Sequence, residues 1–114
     1  MRVNLSRKKG NEAENLAKIF LQNKDFEIIA SNYYTAYGEI DIIAKKDSIY
    51  HFIEVKSGVS FEPLQNVTPK KLSRIIKSIY IYLANNALDV EFCLDVITIK
   101  NGEIDFFENV SLEI

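Results

Sequence analysis

Gly38-Glu39-Ile40-Asp41-Ile42-Ile43-Ala44-Lys45-Lys46-Asp47-Ser48-Ile49-Tyr50-His51-Phe52-Ile53-Glu54-Val55-Lys56 is the stretch that decides how this chain folds. Two runs of β-branched and aromatic residues flank a polar turn at Lys46-Asp47-Ser48, which predicts a hairpin with strands over Glu39–Lys45 and Ile49–Lys56. Side chains alternate faces along a strand, so Glu54 and Lys56 share one side and Ile53 and Val55 the other. By the same rule Glu39 and Asp41 share a face, and Ile40, Ile42 and Ala44 the opposite one. The hairpin is therefore expected to gather the Asp41 and Glu54 carboxylates and the Lys56 ammonium on one surface while burying its other surface. Hard oxygen donors of this kind suit Mg²⁺ or Mn²⁺, which accept one or two carboxylates together with waters and substrate phosphate. The lysine can orient or help deprotonate a water, or meet the charge of a phosphate. The same residues also fit an ordinary cross-strand charge cluster on a solvated face. Their apolar neighbours Ile42, Ile43, Phe52, Ile53 and Val55 favour enclosure.

Working outward, Ala13, Leu16, Ala17 and Phe20 recur at helical spacing and predict a helix over 11–23. Glu14 falls at the edge of that apolar stripe, where a carboxylate either points into a cleft or stabilises the helix's first turn. A strand is expected over Glu27–Tyr33 and a loop over Ser57–Asn66. The second helix starts clearly, with Thr68 as N-cap and Pro69 at the first helical position, and Leu72, Ile75, Ile76, Ile79 and Leu83 form its apolar face. A strand over Val90–Lys100, a type I′ turn at Asn101-Gly102 and a return over Glu103–Phe107 complete the order α-β-β-β-α-β-β. A helix between the third and fourth strands makes a right-handed parallel crossover, so the sheet is expected to be mixed.

With 114 residues, 47% hydrophobic and 26% charged, the chain has the size and composition of one soluble domain, 1–114. No apolar run approaches the roughly 18 residues of a membrane span, and Met1-Arg2-Val3-Asn4-Leu5 has no signal-peptide core, so a cytoplasmic location is expected. Cys93, the single cysteine, lies between Phe92 and Leu94 and reads as a small core residue, so neither a disulfide nor a thiolate zinc site is expected. His51 has the parity of Ile53 and Val55 and so faces away from Glu54 and Lys56; it is declined as a general base. Tyr33, Tyr34 and Tyr37 fit packing at a strand end as well as stacking on bases.

A net charge of −2 argues against binding nucleic acid by bulk electrostatics, but the charges are uneven. Arg2, Arg7, Lys8 and Lys9 crowd one end, and Glu103, Asp105, Glu108 and Glu113 the other. Lys70, Arg74 and Lys77 make a basic stripe on the second helix. Lys70 and Lys71 occupy its first turn, where the helix dipole disfavours cations by a few tenths of a kcal/mol. That mismatch fits an anion site as well as it fits a solvated face; Lys77 is read as solvated.

Gly10-x-x-Ala13-Glu14-x-x-Ala17, Asn32, Gly38-Glu39-Ile40-Asp41-Ile42-Ile43-Ala44, Phe52-Ile53-Glu54-Val55-Lys56, Val67-Thr68-Pro69-Lys70-Lys71 and Asp95-Val96 together resemble the YraN-like family, small bacterial proteins placed in the PD-(D/E)XK nuclease superfamily near the Holliday junction resolvases. The resemblance spans essentially the whole chain. It implies a restriction-endonuclease-like α/β fold and a Mg²⁺- or Mn²⁺-dependent endonuclease of DNA, acting on branched or junction structures. Asp41 and Glu54, with the carbonyl of Val55, would be metal ligands and Lys56 the catalytic lysine; Glu14 matches an acidic residue of the resolvase-like branch. Lys70, Lys71 and Arg74 are the expected nucleic-acid contacts, and a homodimer would supply two sites. Ser57-Gly58 and Cys93-Leu94 stand where the family usually carries basic residues, so this chain offers less positive charge to a polyanion. The competing expectation is a non-catalytic adaptor that keeps the fold and binds nucleic acid or protein.

Overall fold

Both faces of the central hairpin are buried, each under its own helix. In the computed structural model, which describes residues 5–58 and 67–110 and side chains from Asn11 onward, the elements are α1 (Leu5–Asn23), β1 (Glu27–Thr35), β2 (Gly38–Lys46), β3 (Ile49–Gly58), α2 (Pro69–Asn85), β4 (Phe92–Lys100) and β5 (Glu103–Phe107). The expected order α-β-β-β-α-β-β is the observed one. Most of the segment read as a loop (59–66), Arg2, Glu113 and the side chains of Arg7, Lys8 and Lys9 lie outside the described residues.

The five strands lie in the order β1-β2-β3-β4-β5, with β3 and β4 parallel and the other pairs antiparallel. The mixed sheet follows from α2, which carries the chain between β3 and β4. Two hairpins close tightly: Asp47 and Ser48 both have positive φ (52° and 68°), as do Asn101 and Gly102 (51° and 80°). Such turns match the twist of the strands they join and favour Asn, Asp and Gly. At the start of α2, the Thr68 side chain accepts from the amide of Lys71 and Pro69 needs no partner for its nitrogen.

One core cluster joins Leu72, Ile75, Ile79, Tyr82 and Leu83 of α2 to Ile40, Ile43, Phe52, Leu94 and Val96 of the sheet. The other joins Ala13, Ala17 and Leu21 of α1 to Ile42, Ala44, Ile53, Ile97 and Ile99. Adjacent residues such as Phe52 and Ile53 thus enter opposite clusters, which is why the strands read as continuous apolar runs. Strand ends differ modestly from expectation: α1 begins at Leu5, β1 extends to Thr35, β3 to Gly58, and β4 begins at Phe92.

The expected alternation along β2 needs one correction. Ile40 packs under α2, whereas Ile42 and Ala44 pack under α1. The step from Ile40 to Ile42 crosses the sheet where the registered pairing of β2 with β3, which starts at Lys46–Ile49, ends at Ile42–Ile53. Beyond that pair the two strands are no longer held by the same ladder, and Asp41 and Glu54 stand at the point of departure.

Candidate functional site: a carboxylate cluster at the fork of two strands

Where the β2–β3 ladder ends, a side chain takes over its hydrogen bonding. The amide of Val55 donates to Asp41 Oδ2 at 2.8 Å, so a carboxylate satisfies a strand donor. The Glu54 carboxyl is close enough to act on Asp41 directly, by its charge and by side-chain hydrogen bonding. Burial first, and then the negative charge of Glu54, push the Asp41 carboxyl up to about 9. Lys56 Nζ lies 3.0 Å from Glu54 Oε1. Burial lowers the Lys56 ammonium's pKa, but Glu54, Asp41 and Glu39 together outweigh it and the net shift is upward.

Glu14 reaches the same point from α1. One carboxylate oxygen from each of Glu14, Glu39 and Asp41 lies within 4.8 Å of the others. Asn32 of β1 holds two of them, its Nδ2 donating to Glu14 Oε2 at 2.8 Å and to Glu39 Oε1. Asn32 does so from a left-handed backbone, φ 54°. For most residues that conformation costs roughly 1 kcal/mol, and asparagine tolerates it best after glycine. The kink turns the amide toward the acids. Asn32 entered the sequence argument only as a motif position, because nothing in the local pattern announces a left-handed residue inside a strand. Glu39, whose role the sequence left open, joins the cluster through the same amide.

Four carboxylates, one lysine and a neutral amide therefore converge. This arrangement can hold a hard cation. The test of fit lies in Asp41: without a cation the site carries a proton at neutral pH, since two ionised carboxylates cannot share so dry a position. A divalent ion would replace that proton and relieve the repulsion. Glu14, Asp41 and Glu54 offer oxygen donors; the amide of Val55 is placed beside them, with its N–H already engaged by Asp41.

The expected basic residues divide. A cleft of about 200 Å³ opens beside the acids, lined by Gly38, Glu39, Glu54, Lys71, Arg74 and Ser78 among others. Arg74 is anchored there by donation from Nε to the carbonyl of Tyr37 at 3.0 Å, and Ser78 pairs with Thr35 at 2.6 Å. Lys70 is exposed and does not line the cleft. Lys77 lies over the Tyr37 ring, 5.2 Å from its centroid. Tyr33 packs edge-on against Tyr82 and its hydroxyl accepts from Asn85, so it serves the core. His51 stands on the α1 side, buried and bonded to Asp95, away from the carboxylate cluster.

Fold and site define a mixed α/β protein with a five-stranded sheet between two helices and a carboxylate-rich cleft where two strands part. Residues 13–99 match the family described as uncharacterised protein family UPF0102, and the chain belongs to it. A UPF0102 protein of Wolinella succinogenes is 49% identical over 108 residues, covering 95% of this chain and 100% of the relative. One of Helicobacter hepaticus is 50% identical over 107 residues, covering 94% and 97%. One of Sulfurovum sp. is 47% identical over 105 residues, covering 90% and 93%. Among the described residues no helix is long and apolar enough to cross a membrane.

Proposed function

We propose that this protein is a divalent-metal-dependent phosphodiesterase, an endonuclease built on a restriction-endonuclease-like core of the PD-(D/E)XK type. The observation that carries the reading is the convergence of Glu14, Glu39 and Asp41 oxygens within 4.8 Å of one another, beside the Glu54–Lys56 pair at 3.0 Å. An Asp41 carboxyl pushed up by burial and a neighbouring acid, beside a cleft, fits a metal site without its metal. Asp41, Glu54 and the Val55 carbonyl, with Glu14, hold Mg²⁺ or Mn²⁺ in this reading. The ion supplies Lewis acidity that activates water and offsets charge on the phosphate.

The chain's own residues divide the remaining work. Lys56, kept charged by its carboxylate neighbours, orients the attacking water or neutralises the phosphate. Asn32 fixes Glu14 and Glu39, which keeps the donor set preorganised. Lys71 and Arg74, on the opposite wall of the cleft, meet the phosphates of a nucleic acid, with DNA the expected substrate. Their position at the beginning of α2 adds the positive end of that helix.

The deciding experiment is cleavage of linear, single-stranded, flap and four-way-junction DNA with Mg²⁺, Mn²⁺ or chelator. Metal-dependent cutting that is lost in Asp41→Asn supports the reading. A wild type that binds these DNAs but cuts none with either metal would return the chain to the adaptor class.

A further inference from the structure

We propose that His51, Cys93 and Glu108 form a second cation site, for a borderline divalent ion of the Zn²⁺ class, at the end of the sheet opposite the carboxylate cluster. His51 and Cys93 are register partners on the parallel strands β3 and β4, so their side chains stand side by side. A ligand atom from each of His51, Cys93 and Asp95 lies within 4.8 Å of the others. A cavity of about 270 Å³ opens over them, lined by Phe26, Lys46, Ile49, His51, Cys93 and Glu108 among others.

The independent observation is the state of His51. The residue is 6% exposed, and its Nδ1 lies 2.6 Å from Oδ2 of the fully buried Asp95. The other oxygen, Oδ1, accepts from the amide of Asn109 at 2.8 Å. A carboxylate accepting on both oxygens assigns the imidazole proton to Nδ1 and leaves a lone pair on Nε2. Among the described residues every buried side-chain nitrogen and oxygen has a partner, and none pairs with Nε2. Nε2 therefore reaches the cavity that His51 lines. A carboxylate fixing one imidazole nitrogen while the other faces a donor-lined space is the arrangement that holds histidine for a metal.

The other lining residues decide which chemistry fits. A Cys–His–Asp grouping also suggests an activated thiolate, but burial and the charges of Asp95, Glu108 and Glu91 raise the Cys93 pKa. Without a cation the thiol stays protonated and unreactive. A divalent ion reverses that sign: it deprotonates the thiol and uses the surrounding negative charge. One imidazole, one thiolate and one carboxylate with water in the fourth position match the ligand preferences of Zn²⁺ and not those of Mg²⁺. Lys46 also lines the cavity, but its ammonium lies over the Phe26 ring, 5.1 Å from the centroid.

The test is titration of the metal-stripped full chain with Co²⁺, read by thiolate-to-cobalt charge transfer in the near ultraviolet. One equivalent should develop the band, Zn²⁺ should bleach it, and Cys93→Ser should lack it. Asp41→Asn should retain it, because the oxygen cluster has no thiolate. His51→Gln should weaken Co²⁺ binding by about tenfold or more. Should that buried substitution prevent folding, Glu108→Gln at an exposed position should weaken it measurably, and Zn²⁺ should slow iodoacetamide alkylation of wild-type Cys93 by about tenfold. No band in the wild type, or one unchanged by both His51→Gln and Glu108→Gln, would overturn the proposal. So would rapid alkylation at neutral pH that Zn²⁺ leaves unaffected, which would mark Cys93 as a free nucleophile.

Discussion

Replacing Asp41 by asparagine should stabilise the metal-free protein while destroying its response to metal. The Asp41 carboxyl is raised from 3.8 to about 9, so at pH 7 folding takes up a proton that the unfolded chain does not carry. With 1.36 kcal/mol per pKa unit, that uptake costs up to about 4 kcal/mol between the unfolded value and neutral pH. The proton is shared with Glu54, and the site relaxes, so about 1–3 kcal/mol is the expected share. Asparagine removes the cost. Its carbonyl can still accept from the Val55 amide, and its amino group can donate to Glu54 where the proton stood.

The sign follows from the direction of the shift. A raised carboxyl stabilises the folded state fully below about pH 3.8, and that contribution is lost progressively as pH rises toward about 9. The variant should therefore melt higher than wild type in chelator at pH 7.5, by roughly 4 °C or more for a chain of this size. The advantage should shrink toward pH 4. Saturating Mn²⁺ should raise the wild-type midpoint and leave that of Asp41→Asn nearly unmoved, so the order of the two midpoints reverses. A variant less stable than wild type in chelator at pH 7.5, or an advantage that does not depend on pH, would refute the argument that Asp41 is a ligand held protonated.

Apparent Mn²⁺ affinity should rise with pH up to about 9, near tenfold per unit, because binding must displace the Asp41–Glu54 proton; calorimetry at three pH values in buffers of different ionisation heat reads it. Glu14→Gln should weaken Mn²⁺ binding by about tenfold with little change in chelator stability, since the Asn32 amide keeps an oxygen to donate to; a destabilised protein with normal metal affinity would make Glu14 a structural tie between α1 and Asn32 instead. Lys56→Ala should abolish cleavage and leave DNA affinity largely intact, checked by single-turnover assay beside filter binding. Changing Lys71 and Arg74 together to Ala should flatten the salt dependence of DNA binding by about two units, whereas Lys70→Ala, outside the cleft, should change it by less than one.

The strands and helices were legible because each carries its own local signal: β-branched runs, a Thr-Pro helix start, an Asn-Gly turn. Asp41, Glu54 and Lys56 were legible because charges inside such apolar strands are costly and so conspicuous. The two-helix cover of the hairpin was not. Period-two alternation predicts one buried face, and only the continuous apolar runs hinted at two. The break at Asp41 was hidden for a different reason: it depends on where pairing with β3 stops, and that is a property of two strands and not of one. Asn32 was hidden because the acids it holds come from α1 and β2, outside its own strand.

That break is what makes the site. Continued past Ile42–Ile53, the ladder would make Asp41 and Glu54 direct cross-strand partners on the face of Ile43 and Phe52, under α2. Ending the ladder after Ile42–Ile53 frees the space between the strands, and the Asp41 carboxylate fills it by taking the Val55 amide. Glu14 then arrives from one layer while Lys71 and Arg74 border the cleft from the other. A single interruption of hydrogen bonding thus joins the two sides of the sheet at one point, acids supplied by α1 and β2 and cations by α2. The cation-binding and anion-binding halves of the proposed chemistry meet there.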